Sequence, residues 1–339
     1  MTSAVELPPI LPGPEDEPRL LGSKRERSDQ IFRAGVRSIG TAVLVVTGLI
    51  GVFLGLTLVP TLRAYGLGFF TQHNFLPSEN LIGISAAIVG TFVVAIIALG
   101  IAFPLAFATA LYISEYAPAR AKGFLVSLVD LMAAVPSVIF GAWGLKALMP
   151  HALFIDRWIA QWFGWIPIFK VATASPTAVP LAGTQFEASP FIAGLVVSLM
   201  VIPLSCAVMR NVFSQAPSGE REAALALGST RWGMIRSVVL PFGRGGIIGG
   251  TMLGLGRALG ETIAVLLILS ADFGLRVRVL QEGGVTISSL IANNFGDAHG
   301  SQLDALLSAG FVLFTITLVV NTFASMIVSR SRSGVGLDA

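Results

Sequence analysis

The chain of 339 residues is 54% hydrophobic and only 12% charged, with a net charge of +3 and a mean hydropathy of +0.80. A soluble domain carries about twice that share of charge, so a water-soluble globule is excluded and an all-α integral membrane protein is expected. The basic balance is no nucleic-acid signal, because no soluble basic domain accompanies it.

Residues 1–30 are polar, of mixed charge and broken by Pro8, Pro9, Pro12, Pro14 and Pro18, which reads as a disordered tail without a cleavable signal peptide. Apolar stretches of about 20 residues then recur at about 38–60, 82–105, 124–148, 189–211, 246–270 and 305–328, predicting six transmembrane helices in one membrane domain over 31–330, with a short tail at 331–339. The second span runs through Pro104 as far as Tyr116, which predicts a kinked helix emerging from the membrane and ending at Glu115-Tyr116-Ala117-Pro118. Pro136-Ser137 interrupts the third span and exposes backbone groups there. Residues 61–81, 149–188 and 271–304 are expected as external segments. In the second of these, Trp158, Trp162 and Trp165 suit either the headgroup layer or an external partner. Cys206, the one cysteine, lies inside the fourth span, so no disulfide forms within the chain.

Charge sets the orientation. With the amino terminus in the cytoplasm, fifteen Lys and Arg fall on that side, among them Arg25, Arg33, Arg120, Arg221, Arg231 and Arg244; six fall outside; and Arg257 is the remaining one of the 22. The positive-inside rule then places both termini in the cytoplasm of a multi-pass cell-membrane protein. It also places there the polar loop expected at about 212–244.

That loop carries a pattern. It reads Glu222-Ala223-Ala224, then Gly228, then Val238 and Leu240-Pro241. Residues 220–227 are strong helix formers, Gly228 suits a left-handed C-terminal cap, and Pro241 is expected to stop what precedes it. The segment reads as an ordinary interfacial helix or as a surface helix that receives a push from a soluble motor.

Charges inside the spans are few. Arg257 and Glu261 sit four residues apart in Gly256-Arg257-Ala258-Leu259-Gly260-Glu261-Thr262, hence on one helical face. Two readings stand: a structural salt bridge, or a pair facing a polar path. On the second, the guanidinium fork suits phosphate oxygens, and the carboxylate accepts the O–H of hydrogen phosphate, which sulfate lacks. Gly246, Gly250 and Gly254 have the spacing of close helix packing. Asp130 reads as a solvated interfacial carboxylate and Asn321 as an interhelical hydrogen-bonding group. About 24 Å of helix separates Pro241 from Arg257, so one nearly continuous rod, flexible near its glycines, is expected to carry loop motion to the charged pair.

Taken together, the 222–241 loop resembles the coupling loop of ABC importer permeases, with Val238 where isoleucine is usual. The Arg257-to-Thr262 segment resembles the phosphate ABC permeases. Ala134-Val135-Pro136-Ser137-Val138-Ile139-Phe140-Gly141-Ala142-Trp143-Gly144-Leu145 is more similar to the PstC group than to its paralogue PstA, and Leu111-Tyr112-Ile113-Ser114-Glu115-Tyr116-Ala117-Pro118 fits as well. The resemblance covers about residues 30–330. It implies a type I importer permease of MetI-like architecture, pairing with a PstA-like permease, a cytoplasmic PstB-like ATPase dimer and an external PstS-like binding protein. It implies that Glu222, Ala223, Ala224, Gly228, Leu240 and Pro241 couple to the ATPase, and that Arg257, Glu261, Thr262 and Ser137 lie on the substrate path. No cofactor is expected in this chain, ATP and Mg belonging to the ATPase, and no phosphate loop, zinc motif or nucleophile elbow is present in the sequence. Permeases for phosphonate, sulfate or molybdate, a phosphate-sensing scaffold and an ion-gradient carrier remain as alternatives.

Overall fold

The computed structural model describes residues 27–76, 81–171, 186–274 and 278–331. Most of the tail expected over 1–30, and residues 332–339, lie outside these; residues 27–30 are already helical. The chain divides into two units, 1–50 and 51–339. The described part of the first is helical, the opening half of α1 (Arg27–Tyr65), with Asp29 and Arg33 paired one turn apart at 3.7 Å.

Among its described residues the second unit is mainly helical, with a two-residue antiparallel pairing of β1 (Phe75–Leu76) with β2 (Leu81–Ile82). Its centre is α3 (Ser85–Leu111) against α7 (Pro190–Ser214). The reason is in the side chains. Ala98, Ala102, Ala106 and Ala110 form a fully buried stripe on α3, every fourth residue, and Gly194 of α7 lies against Ile97. Small residues at helical spacing let backbones approach where lipid offers no competing hydrophobic drive. α10 (Leu240–Leu259) packs on the other side of α7 through the same device. A Cβ on Gly243, Gly246 or Gly254 would lie within 2.7 Å of Phe213, Val212 or Ser205, and the Ser205 hydroxyl donates to the Gly250 carbonyl at 2.9 Å. The expected glycine packing seam is therefore present, and the place expected to flex is wedged.

α13 (Ser301–Ser331) packs along α10 and on the later turns of α1, where Gly51 and Gly55 meet Phe314 and Phe311 and the buried hydroxyls of Thr61 and Ser308 lie 2.8 Å apart. Near the start of α3, α12 (Ile287–Asn294) closes the unit: the Ile287 N–H donates to Thr91 Oγ at 3.0 Å.

Among the described residues, six helices are long and apolar enough to cross a membrane: Asp29–Tyr65, Ser85–Tyr116, Ser137–Phe163, Pro190–Ser214, Arg231–Leu259 and Ser301–Ile327. Four agree in place with the expected spans, and two are displaced. The third is not 124–148. α4 (Ala119–Ala134) ends at extended Val135-Pro136, and a new helix runs from α5 (Ser137–Trp143) through a π-turn at Gly144–Leu148 into α6 (Met149–Phe163). Proline disfavours a helical residue before it and begins helices well, so the break belongs between two helices rather than within one. Residues 149–163, expected in an external loop, continue that helix.

The fifth span is also shifted. Helix begins at α9 (Arg231–Met234), passes through a π-turn at Ile235–Val239 and continues as α10, so Leu240 and Pro241 lie inside a 29-residue helix. Pro241 does not stop it. Proline occupies the first turn after a π-turn, where its missing N–H is least costly. The helix then ends at Leu259, short of the 270 expected, and α11 (Ile263–Ile268) follows after a break.

Candidate functional site

The break at residues 260–262 is where the expected path residues gather. α10 carries Arg257 in its last turn, where helix-end carbonyls favour a cation. Gly260 follows, and the chain turns before Thr262 caps α11. Glu261 is 7% exposed, and its Oε1 accepts the Ala264 N–H at 3.4 Å, while the Thr262 hydroxyl donates to the Gly260 carbonyl at 3.2 Å. The carboxylate thus satisfies a backbone donor of the α11 first turn. It does not pair with Arg257: among the described residues the two form no ion pair, and the Arg257 side chain is exposed. Of the two readings open from sequence, the intrachain salt bridge is not formed. Asn321 of α13 lies against Gly256, beside Arg257, and among the described residues makes no side-chain hydrogen bond to another helix.

Ser137 is brought to the same level from a different part of the sequence. A Cβ on Gly141 would fall 2.8 Å from the Ala264 Cα and 3.0 Å from Leu267, and one on Gly144 would fall 3.2 Å from Ile268. α5 and α11 therefore run in the same direction in close contact, and that register sets the start of α5, at Ser137, level with the turn at Glu261 and Thr262. Two interrupted helices begin side by side.

The residues expected to couple to an ATPase separate into two groups. Glu222, Ala223 and Ala224 lie on α8 (Ser218–Ala226), which has no fully buried residue and presents Glu222 and Ala223 outward. Gly228 has φ +82°, and the helix closes with Gly228 N–H to the Leu225 carbonyl at 3.0 Å and Ser229 N–H to the Ala224 carbonyl at 3.1 Å. This is the left-handed glycine ending expected from sequence. Leu240 and Pro241 stand apart from that loop, on the long helix. The segment outside the long helices is thus 215–230, narrower than 212–244.

Three polar anchors went unread in the sequence. Asp130 on α4, expected to be merely solvated, is 3.5 Å from Arg210 on α7. Glu115 is 3.3 Å from Arg221 of α8. Asp156 on α6 is fully buried and accepts the Ser189 hydroxyl at 3.3 Å. Each is a charge within or at the end of an apolar helix, which is the signal that was available.

A family model described as "Binding-protein-dependent transport system inner membrane component" matches residues 102–333. The chain is similar to the phosphate transport system permease protein PstC 2 of Mycobacterium tuberculosis, 38% identical over 312 residues, 91% of this chain and 94% of the relative. It is similar to the phosphate transport system permease protein PstC of Pasteurella multocida, 35% identical over 303 residues, covering 88% and 91%. The fold is shared with a permease chain in the crystal structure of a bacterial alginate ABC transporter bound to its periplasmic protein, with TM-score 0.55 and 18% identity over 90% of this chain and 97% of that one. With its six apolar helices, the chain belongs to the binding-protein-dependent transport system inner membrane component family, in its PstC group.

Proposed function

We propose that the chain is the permease subunit of an ATP-driven importer of inorganic phosphate, contributing half of the translocation path. The observation that carries this reading is the unpaired Arg257 at the end of α10, beside the buried Glu261 and level with the start of the helix at Ser137. An exposed guanidinium at the end of a long apolar helix, with no ion pair among the described residues, is open to an anion, and a phosphate's oxygens match its fork. The start of the Ser137–Phe163 helix adds the positive end of its dipole, as interrupted helices do in other transporters. The names of the relatives at 35–38% identity support phosphate as the cargo.

On this reading both termini face the cytoplasm, and exposed Glu222 and Ala223 on α8 meet an ATPase dimer there. A second permease completes the path, and an external binding protein delivers the anion. ATP and Mg are held by the ATPase, and this chain does no catalysis. Reconstitution of all four components in vesicles tests it: phosphate uptake that requires ATP and is lost with Arg257→Ala is expected. Uptake without ATP, or wild-type uptake in that variant, would overturn it. Permeases for other oxyanions are the second reading. Glu261→Gln separates the two, because a carboxylate that accepts the phosphate O–H discriminates against sulfate, and an unchanged preference would remove that role.

A further inference from the structure

The end of α3 is held by Arg221 of the 215–230 loop and by Arg231, the first residue of the long helix that follows the loop. A π-turn at Tyr112–Tyr116 follows α3 and places Glu115 and Tyr116 side by side at its tip. The Glu115 side chain is 4% exposed. Arg221, one residue before the Glu222 of α8, sends Nη2 to Glu115 Oε1 at 3.3 Å and Nη1 to Oε2 at 3.4 Å, a two-pronged contact. The same Nη2 donates to the Phe213 carbonyl at the end of α7 at 2.5 Å. Ser114 donates to Glu115 Oε1 at 2.5 Å, and Lys122 of α4 reaches the Ser114 carbonyl at 3.5 Å. On the other side of the loop, the Arg231 guanidinium lies 5.5 Å from the centre of the Tyr116 ring. Between the two arginines stand α8 and the Gly228 turn, and α8 also rests on the π-turn at Ile235–Val239.

This arrangement exceeds what an exposed loop needs. A surface pair between flexible side chains contributes little, whereas a fork on a nearly buried carboxylate fixes both position and angle. Breaking it leaves Glu115 without its countercharge in a site that water barely reaches. Turns of the π type recur where helices carry function.

We propose that Glu115 and Tyr116 form a clasp, gripped by Arg221 and Arg231, through which displacement of the 215–230 loop also displaces α3. The loop then acts on the bundle at two points, directly on the helix Arg231–Leu259 and through the clasp on α3, and both of these helices pack on α7 and on each other. Glu115, Tyr116, Arg221 and Arg231 are positioning residues; none touches the cargo. The idea rests on the permease reading above for its consequence, but its geometry is testable without transport.

Two measurements decide it. In the full chain in lipid nanodiscs, amide hydrogen exchange over 218–227 is expected to speed up about ten-fold in Glu115→Gln, because the helix loses its anchor to α3. Exchange equal to wild type would overturn the clasp. In the assembled four-component complex, Glu115→Gln and Arg221→Gln are expected to lower phosphate moved per ATP hydrolysed while the ATPase still co-purifies, and the exchange Glu115→Arg with Arg221→Glu is expected to restore the ratio. An unchanged ratio in both single variants would overturn transmission through α3. If Glu115→Gln does not insert, Arg231→Gln, at an exposed position, carries the same two readouts. A wild-type complex that moves no phosphate would sink the permease reading, and the exchange measurement would still decide the clasp.

Discussion

Arg210 on α7 reaches Asp130 on α4 at 3.5 Å, with the arginine side chain 9% exposed and the aspartate 53%. The burden of burial falls on the arginine, whose Nη1 already lacks a hydrogen-bond partner. Asp130→Asn is therefore expected to destabilise the chain by about 1–2 kcal/mol, below the cost of breaking a fully buried pair because half of Asp130 is in contact with solvent. Thermal unfolding in detergent measures this. Replacing both residues, Asp130→Leu with Arg210→Met, is expected to recover most of the loss, since the uncompensated charge is gone. A double variant less stable than Asp130→Asn would contradict that account.

The seam between α5 and α11 is set by Gly141. A Cβ there would meet the Ala264 Cα at 2.8 Å, a backbone atom that does not rotate away. Gly141→Ala is expected to cost about 1–3 kcal/mol. It is also expected to lower uptake beyond the loss of folded protein, because the same contact sets Ser137 level with the turn at Glu261. Gly249, where an added Cβ would meet no other part of the chain within 4 Å, is the control. Gly249→Ala is expected to leave both properties near wild type, and a comparable loss there would show that α10 tolerates no alanine at all.

Arg257 separates stability from transport. Exposed and without an ion pair in this chain, it is expected to be replaceable by alanine with a change in unfolding free energy within about 0.5 kcal/mol. Uptake by the assembled complex is expected to fall about 10- to 100-fold, with Arg257→Lys intermediate because it keeps the charge and loses the fork. Equal rates for Lys and Arg would argue for a point charge rather than bidentate recognition.

Gly228 carries φ +82°, a conformation that costs other residues about 1–2 kcal/mol. Gly228→Val is expected to loosen the end of α8 and weaken stimulation of the ATPase by loaded binding protein, and Gly228→Asn to do so less, because asparagine tolerates the left-handed region. Unaltered stimulation in the valine variant would mean that the ending of α8 is not part of coupling.

Much of the architecture was legible because lipid imposes long apolar runs, and four of six spans fell where composition put them. The two displaced spans share a cause. Around Pro136 and around Gly260, apolar composition continues across a backbone interruption, so hydropathy alone cannot see the break. Pro136 signalled an interruption and was placed inside one span rather than between two helices; Gly260 carried no assigned role. The Gly228 ending was legible because one residue type fits it. The Arg210–Asp130 and Arg221–Glu115 pairs were not, since each joins residues 80 or more apart whose meeting depends on how the helices pack.

The interruption at 260–262 has a mechanical meaning. Arg257 is part of the long helix that begins at Arg231, next to the loop, whereas Glu261 caps α11, which is locked to α5 through Gly141 and Ala264. Four residues apart in sequence, the two charges lie on either side of the break at 260–262, one in the last turn of α10 and one at the start of α11. A shift of α10 against α11 is expected to change the spacing between guanidinium and carboxylate at this break, and on the proposed reading that spacing sets how tightly an anion is held.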